Sequence, residues 1–356
     1  VREQASALSR THDVRLLYLD VLPRGEKRKA RRWTSQEHGY KEEIVEVPNR
    51  PLIWQFTYLL QMLLALRKTL REFRPDVIHC HVAVPAGWGV TRLRRLLRVP
   101  VVLTEHSSEF KSWMKRPGLR WMARQAFNNV DKIIAVSEGQ EGFIRRTFPR
   151  AAPTTVVPNM VDTARFAPSP YPPIEDGYRI LFVGLLDTDQ KGLHIFLDAI
   201  AQLKQAHKLS LHLEIVGDGI LRPNYEAQAD RLGISDGVSF RGTESNAEVA
   251  RLLQESHALV LPSLHESQGL VVIESLASGR PVVATRCGGP EFLINSTNGL
   301  VVEPGQPAPL AEAIARLLTN LDHYDPYSIA SEAAKHYSQD AVTASLTEIY
   351  QEVQPL

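Results

Sequence analysis

Two glutamates, Glu266 and Glu274, stand with seven residues between them inside Leu261-Pro-Ser-Leu-His-Glu-Ser-Gln-Gly-Leu-Val-Val-Ile-Glu-Ser-Leu-Ala-Ser-Gly-Arg-Pro-Val-Val-Ala-Thr285. An apolar run ends at Pro262. A polar loop with Gly269 follows, then a helical pattern near Val271–Ser278, then Gly279 and a second apolar run. The loop is therefore expected at the carboxyl end of a buried strand and the amino end of a helix. Free backbone N–H groups and the helix dipole at such a point suit a diphosphate. Carboxylates beside an anion site suit a different partner, since they accept hydrogen bonds from the vicinal hydroxyls of a sugar or ribose. Spacing by itself does not carry this: most glutamate pairs at such a distance are solvated side chains, so the argument rests on the loop around them.

The elements that must position this loop are legible along the whole chain. Strand candidates are Val14–Leu19, Val77–Cys80, Val99–Thr104, Lys132–Val136, Thr155–Val157, Arg179–Gly184, Leu211–Val216, Val238–Arg241, Ala258–Leu261 and Pro281–Ala284. They alternate with helical patterns and lack period-two polarity. Strands of that kind are buried on both faces, as in parallel sheets covered by helices. Phe166-Ala-Pro-Ser-Pro-Tyr-Pro-Pro173, with four prolines in eight residues, reads as a linker. The expectation is an α/β protein of two doubly wound parallel-sheet domains, residues 1–168 and 169–338, facing a cleft at the carboxyl ends of their strands. Residues 339–356 read as a closing amphipathic helix that returns to the first domain. The chain opens on a helical pattern, whereas a doubly wound domain starts with a strand and a tight loop; a preceding segment of roughly 15–30 residues is expected from the length of a βα unit.

Composition excludes several classes. The chain has 356 residues, 44% apolar and 23% charged, which is ordinary for a globular protein. Two cysteines far apart, Cys80 and Cys287, exclude a disulfide framework and a cysteine-cluster zinc site, so a cytoplasmic setting is expected. No apolar stretch reaches the roughly 18 residues of a membrane span; Leu52–Leu66 is broken by Gln55, Thr57 and Gln61. The formal net charge of +1 conceals a split: residues 1–168 carry 29 Lys+Arg against 16 Asp+Glu, and the remainder 12 against 24. The basic side chains cluster in Arg24–Arg32, Arg92–Arg98 and Lys111–Arg124. Such asymmetry points the first half towards an anionic partner. Without a nucleic-acid-binding motif, an anionic membrane surface or a phosphorylated lipid is the expected partner rather than nucleic acid.

The segment resembles the signature of the retaining glycosyltransferases of family 4, which have the GT-B fold. The resemblance continues through Cys287-Gly-Gly-Pro-Glu291, Asn298-Gly-Leu-Val-Val302, Phe182-Val-Gly184, Lys191-Gly192, Glu214-Ile-Val-Gly-Asp-Gly219 and Val157-Pro-Asn159. In the first half it takes in Pro75-Asp-Val-Ile-His-Cys-His81 and Thr104-Glu-His106. It implies that Glu274 holds the ribose hydroxyls and Glu266 the hydroxyls of the transferred sugar. Backbone N–H groups of Ser267, Gln268, Gly269 and Leu270 would hold phosphates and sugar. Lys191 would neutralise the leaving diphosphate. Gly184 and Gly217 would line the donor site, with Arg241 near the base. His106 would be an active-site residue and His81 an acceptor-side residue.

The implied activity is transfer of a sugar from a UDP- or GDP-sugar to a glycan or lipid-phosphate-linked acceptor, with retention and with no cofactor or metal. Peripheral membrane docking through the Trp54–Leu70 helix, with Phe56 and Tyr58, would accompany it. The same helix packing on a sheet is the plainer expectation. Two departures from the pattern stand out. Leu185 occupies the position of the family's usual arginine, for which Arg286 could substitute, and the glycine-rich loop after the first strand is not in the sequence. Asp187-Thr-Asp189 matches the metal motif of another glycosyltransferase class. A non-catalytic nucleotide-sugar-binding protein, or another GT-B enzyme such as a nucleotide-sugar epimerase, is the alternative reading.

Overall fold

The computed structural model describes residues 1–22, 31–36, 39–48, 54–107, 109–207 and 209–354, so residues 24–30 of the Arg24–Arg32 basic run lie outside the described residues. The chain forms two compact units. One comprises Val1–Val136, Glu141–Val157 and Val342–Leu356; the other comprises Ser137–Gln140 and Pro158–Ala341.

The first unit contains α1 (Arg2–Leu8), β1 (Arg15–Val21), β2 (Arg32–Ser35), β3 (Lys41–Val47), α2 (Trp54–Glu72), β4 (Ile78–His81), α3 (Trp88–Leu97) and β5 (Val101–Glu105). After these come a single turn α4 (Phe110–Trp113), α5 (Pro117–Phe127), β6 (Lys132–Ala135), α6 (Glu138–Thr147), of which the first residues fall in the second unit, and β7 (Thr154–Val156). Strands β4-β5-β6-β7 form a parallel sheet whose inner residues Val101, Leu103, Ile133 and Ala135 are buried. The α/β parallel-sheet class holds, and the first unit has a second sheet besides this one. β1, β3 and β2 form a separate three-stranded sheet, with β1 parallel and β2 antiparallel to β3.

β3 escapes a pattern reading because it is Lys-Glu-Glu-Ile-Val-Glu-Val. Its Glu42 and Glu46 are nevertheless buried. Burying a carboxylate is tolerable only with partners, and these arrive from distant chain. Arg2 donates to Glu42 at 3.0 Å, Arg32 and Thr69 donate to Glu43, and the Arg31 N–H donates to Glu46. Helix α2 packs inward through Tyr58, Met62, Ala65 and Leu66. Tyr58 is thus part of the core and not of a docking face; Phe56, Leu60 and Leu64 form the exposed stripe.

The second unit contains β8 (Tyr178–Val183), α7 (Leu193–His207), β9 (Leu211–Val216), α8 (Arg222–Leu232), β10 (Val238–Gly242), α9 (Asn246–Gln254), β11 (Ala258–Leu261) and α10 (Leu270–Ala277). It continues with β12 (Val282–Thr285), β13 (Gly299–Val302), α11 (Pro307–Thr319) and α12 (Pro326–Tyr337). The last helix, α13 (Gln339–Val353), begins here and has residues from Val342 onward in the first unit. The sheet is six-stranded and wholly parallel, in the order β10-β9-β8-β11-β12-β13. The chain winds outward from β8 in one direction, then restarts from β11 in the other. Loops at the carboxyl ends of β8 and β11 therefore leave in opposite directions and open a crevice between them.

Local chemistry sets the helix boundaries. Ser245 accepts the N–H of Glu248 to start α9, and Asp325 accepts that of Ser328 to start α12. The proline-rich segment does not separate the units. Phe166 is buried in the second core, and Arg280, completely buried, binds the carbonyls of Ser169, Pro170, Leu253 and Gln254 and lies over Tyr171. One arginine thus fastens that segment to the sheet, and the change of unit falls at Val157–Pro158 rather than after Pro168.

Candidate functional site

The loops after β8 and β11 meet at the crevice. Gly184 follows β8, and a Cβ there would press on the Lys191 side chain at 3.1 Å. A 3-10 turn, Asp189–Lys191, ends at Gly192, whose φ of +69° and whose 2.1 Å approach to the Pro262 carbonyl, measured from an added Cβ, leave no room for another residue. This close packing joins the two loops. The N–H of Leu264 donates to the Gln190 carbonyl at 2.8 Å, and Gln190 Nε2 donates to the His265 carbonyl at 3.0 Å. As a result Lys191 Nζ lies 2.5 Å from Glu266 Oε1, and that same oxygen accepts Ser263 Oγ at 2.9 Å.

Side chains of Lys191 and Glu266 are 26% and 5% exposed. A largely buried ion pair costs desolvation and adds little stability. At the switch point it sets a cation beside a turn at the amino end of a helix. That turn is Ser267 to Leu270. Gly269, with φ +87°, caps α10, and the first amides of the helix face its amino end. Ser137 Oγ donates to the Ser267 carbonyl. Gln268 Oε1 accepts from both Asn159 N and Asn159 Nδ2, which fixes its amide orientation. Its Nε2 is buried without a hydrogen-bond partner among the described residues, an available donor inside the loop. Gly289 backs the turn so closely that a Cβ would lie 2.5 Å from the Gln268 Cα. Glu274 lies one helical turn beyond Leu270, partly buried on α10.

Gly217 ends β9 under the same crevice. A Cβ there would meet the Gly184 carbonyl oxygen at 1.9 Å, so only glycine lets β8 and β9 close at this point. Arg241 does not join the cluster. Its Nε donates to Glu214 at 2.6 Å, and it lines a cavity of about 570 Å³ with Asp176, Arg179 and His212, residues before and at the amino ends of β8 and β9. The family resemblance put Arg241 near the base, but the side chain is captured by a carboxylate on the neighbouring strand. Arg286 is likewise engaged elsewhere, 3.0 Å from Glu303, while Leu185 is 68% exposed. Asp187 accepts the N–H of Ile220 and Asp189 accepts Tyr225 Oη, so the two carboxylates of the Asp187-Thr-Asp189 match serve separate neighbours.

His81 and His106 come together in the first unit, at the carboxyl ends of β4 and β5. Their rings meet edge to face at 5.5 Å, and His79 stacks on His81 at 4.5 Å. His79 bridges Thr104 Oγ1 (2.6 Å) and Tyr350 Oη of α13 (2.7 Å). Burial lowers all three imidazoles, His79 to about 3 and His106 to about 4, so each is neutral. Burial pushes the Glu105 carboxyl the other way, up to about 7. His79, Glu105 and Tyr350 carry no signal by residue type; only the pairing of β4 with β5 and the return of α13 make them neighbours.

The family description "Glycosyltransferase Family 4" matches residues 1–165 and "Glycosyl transferases group 1" matches residues 177–320. The chain is 29% identical over 322 residues to an uncharacterized glycosyltransferase of Methanocaldococcus jannaschii, spanning 89% of this chain and 87% of that one. Among solved structures, sucrose-phosphate synthase from Thermosynechococcus elongatus superposes with a TM-score of 0.81 at 22% identity, over 99% of this chain and 92% of that one. HepE of Anabaena in complex with UDP-glucose gives 0.73 at 22% identity, over 89% and 87%. The architecture is the GT-B fold.

Proposed function

Since the chain belongs to the group 1, family 4 glycosyltransferases, we propose that it moves a hexosyl unit from a UDP- or GDP-sugar to a glycan or lipid-phosphate-linked acceptor, with retention and without a metal. The observation that carries this reading is the Lys191–Glu266 pair at the β8/β11 crevice, beside the Ser267–Leu270 turn. A diphosphate on that turn takes over the Lys191 charge, and Glu266 is released to accept sugar hydroxyls. Glu274, one turn along α10, accepts the ribose diol. As the bond from the anomeric carbon to the phosphate oxygen breaks, negative charge collects on the leaving diphosphate, where Lys191 and the helix amides stabilise it. The acceptor oxygen bonds to the anomeric carbon on the same face, and its proton passes to the departing phosphate oxygen. UDP-glucose in HepE supports a nucleotide-sugar donor. The basic first unit supports an anionic acceptor, and cell-surface polysaccharide or glycolipid synthesis is the setting we propose.

The test is release of nucleoside diphosphate from a panel of UDP-, GDP- and ADP-sugars, with NMR of the product and with EDTA present. One donor is expected to turn over, with the anomeric configuration kept and with rates unchanged by EDTA. Activity lost to EDTA and restored by Mn²⁺ would overturn the metal-free reading, and an inverted product would overturn retention.

A further inference from the structure

Glu105 closes β5, is completely buried, and has no part in the chemistry described above. Its Oε2 accepts the N–H of Ala83 at 2.8 Å and its Oε1 the N–H of Ser107 at 2.9 Å. Ala83 lies two residues after His81, and Ser107 directly follows His106. A single carboxylate therefore ties together the two chain segments that carry the facing imidazoles. Between His81 and Ala83 stands Val82, a β-branched residue with φ +65°. That left-handed conformation is strained for valine. It is held by the Val82 N–H on the Thr104 carbonyl, by the Gly87 N–H on the Val82 carbonyl, and by the Glu105 clasp on the next amide.

We propose that Glu105 is a positioning residue that fixes the separation and orientation of His81 and His106, and through them the acceptor side of the transfer reaction. This rests on the proposed glycosyl transfer for its kinetic consequence but not for its geometry. A carboxylate is required because both oxygens must accept. An amide of the same shape offers one acceptor and turns an NH₂ group against the other backbone N–H.

The experiment compares wild type with Glu105→Gln in the full chain, first by histidine ring NMR and then by kinetics. The His81 and His106 ring signals are expected to shift, while those of His257 and His336, in the second unit, stay. The kcat is expected to fall about 10- to 100-fold with donor Kd unchanged. Val82→Gly, which removes the left-handed demand, supplies a background in which Glu105→Gln folds if the single variant does not; it restores stability there but not kcat. Unmoved His81 and His106 signals, or an unchanged kcat in the folded variant, would overturn the proposal. If wild type turns over no donor and the ring signals still move, the positioning stands and the failure belongs to the proposed function.

Discussion

Lys191 is the residue on which the transfer reading turns. Its ammonium sits against Glu266 with most of the pair withdrawn from water, so replacing it has two consequences. The leaving diphosphate loses its cation, which at such positions costs about 10²–10³-fold in kcat. The Glu266 carboxylate is also left buried with Ser263 as its partner, which destabilises the second unit. Lys191→Ala is therefore expected to lower kcat by that factor and to lower Tm. The double variant Lys191→Ala/Glu266→Gln should recover Tm and not kcat. Equal recovery of both would make the pair merely structural.

At the scale of elements, the carboxyl ends of β4 and β5 hold three imidazoles and one carboxyl in a water-poor layer. His79 and His106 ionise near 6.5 when unfolded but, buried, only at about 3 and about 4, and burial lowers His81 in the same direction, so below about 6.5 the unfolded chain binds more protons and stability falls as pH falls. Glu105 has the opposite sign. Its folded value of about 7 lies above the unfolded one, so it gains stability over the same descent. Three histidines against one carboxyl leave a net loss of stability between pH 7 and pH 5. Thermal unfolding should show Tm falling across that interval, and His79→Gln should flatten the slope. A Tm that rises on acidification would contradict the assigned burial. These strands also show what a pattern reading can and cannot find. Ile78–His81 and Val101–Glu105 are legible because their apolar residues pack on both faces. β3 is not, because its glutamates look solvent-facing until Arg2, Arg32 and Thr69 close on them.

At the scale of the whole molecule, charge and apolar exposure coincide in the first unit. Helix α2 shows Phe56, Leu60 and Leu64 to solvent, with Arg67, Lys68 and Arg71 following on the same helix, and among the described residues no helix is long and apolar enough to cross a membrane. An apolar stripe with a basic flank suits an anionic lipid surface. In liposome flotation the protein is expected to rise with vesicles rich in anionic lipid at low salt and to be released at high salt. Phe56→Ser/Leu60→Ser should weaken the association. Equal flotation with neutral vesicles would count against it.

The loop proposed to hold the donor was legible in the sequence as a candidate site because its features are local. A strand end, a glycine turn, a helix start and the Glu266/Glu274 spacing all lie within 25 consecutive residues. The family and the α/β class followed from the same short-range order, repeated along the chain. Tertiary structure decided what depends on distant residues meeting. It drew Arg241 to Glu214 and away from the crevice, engaged Arg286 with Glu303, and bound the proline-rich segment to Arg280 inside the second unit. It also set Glu105 between Ala83 and Ser107. A long charged side chain goes to whichever opposite charge or carbonyl the fold brings within reach, and that partner is fixed by strand order and packing rather than by its neighbours in the chain.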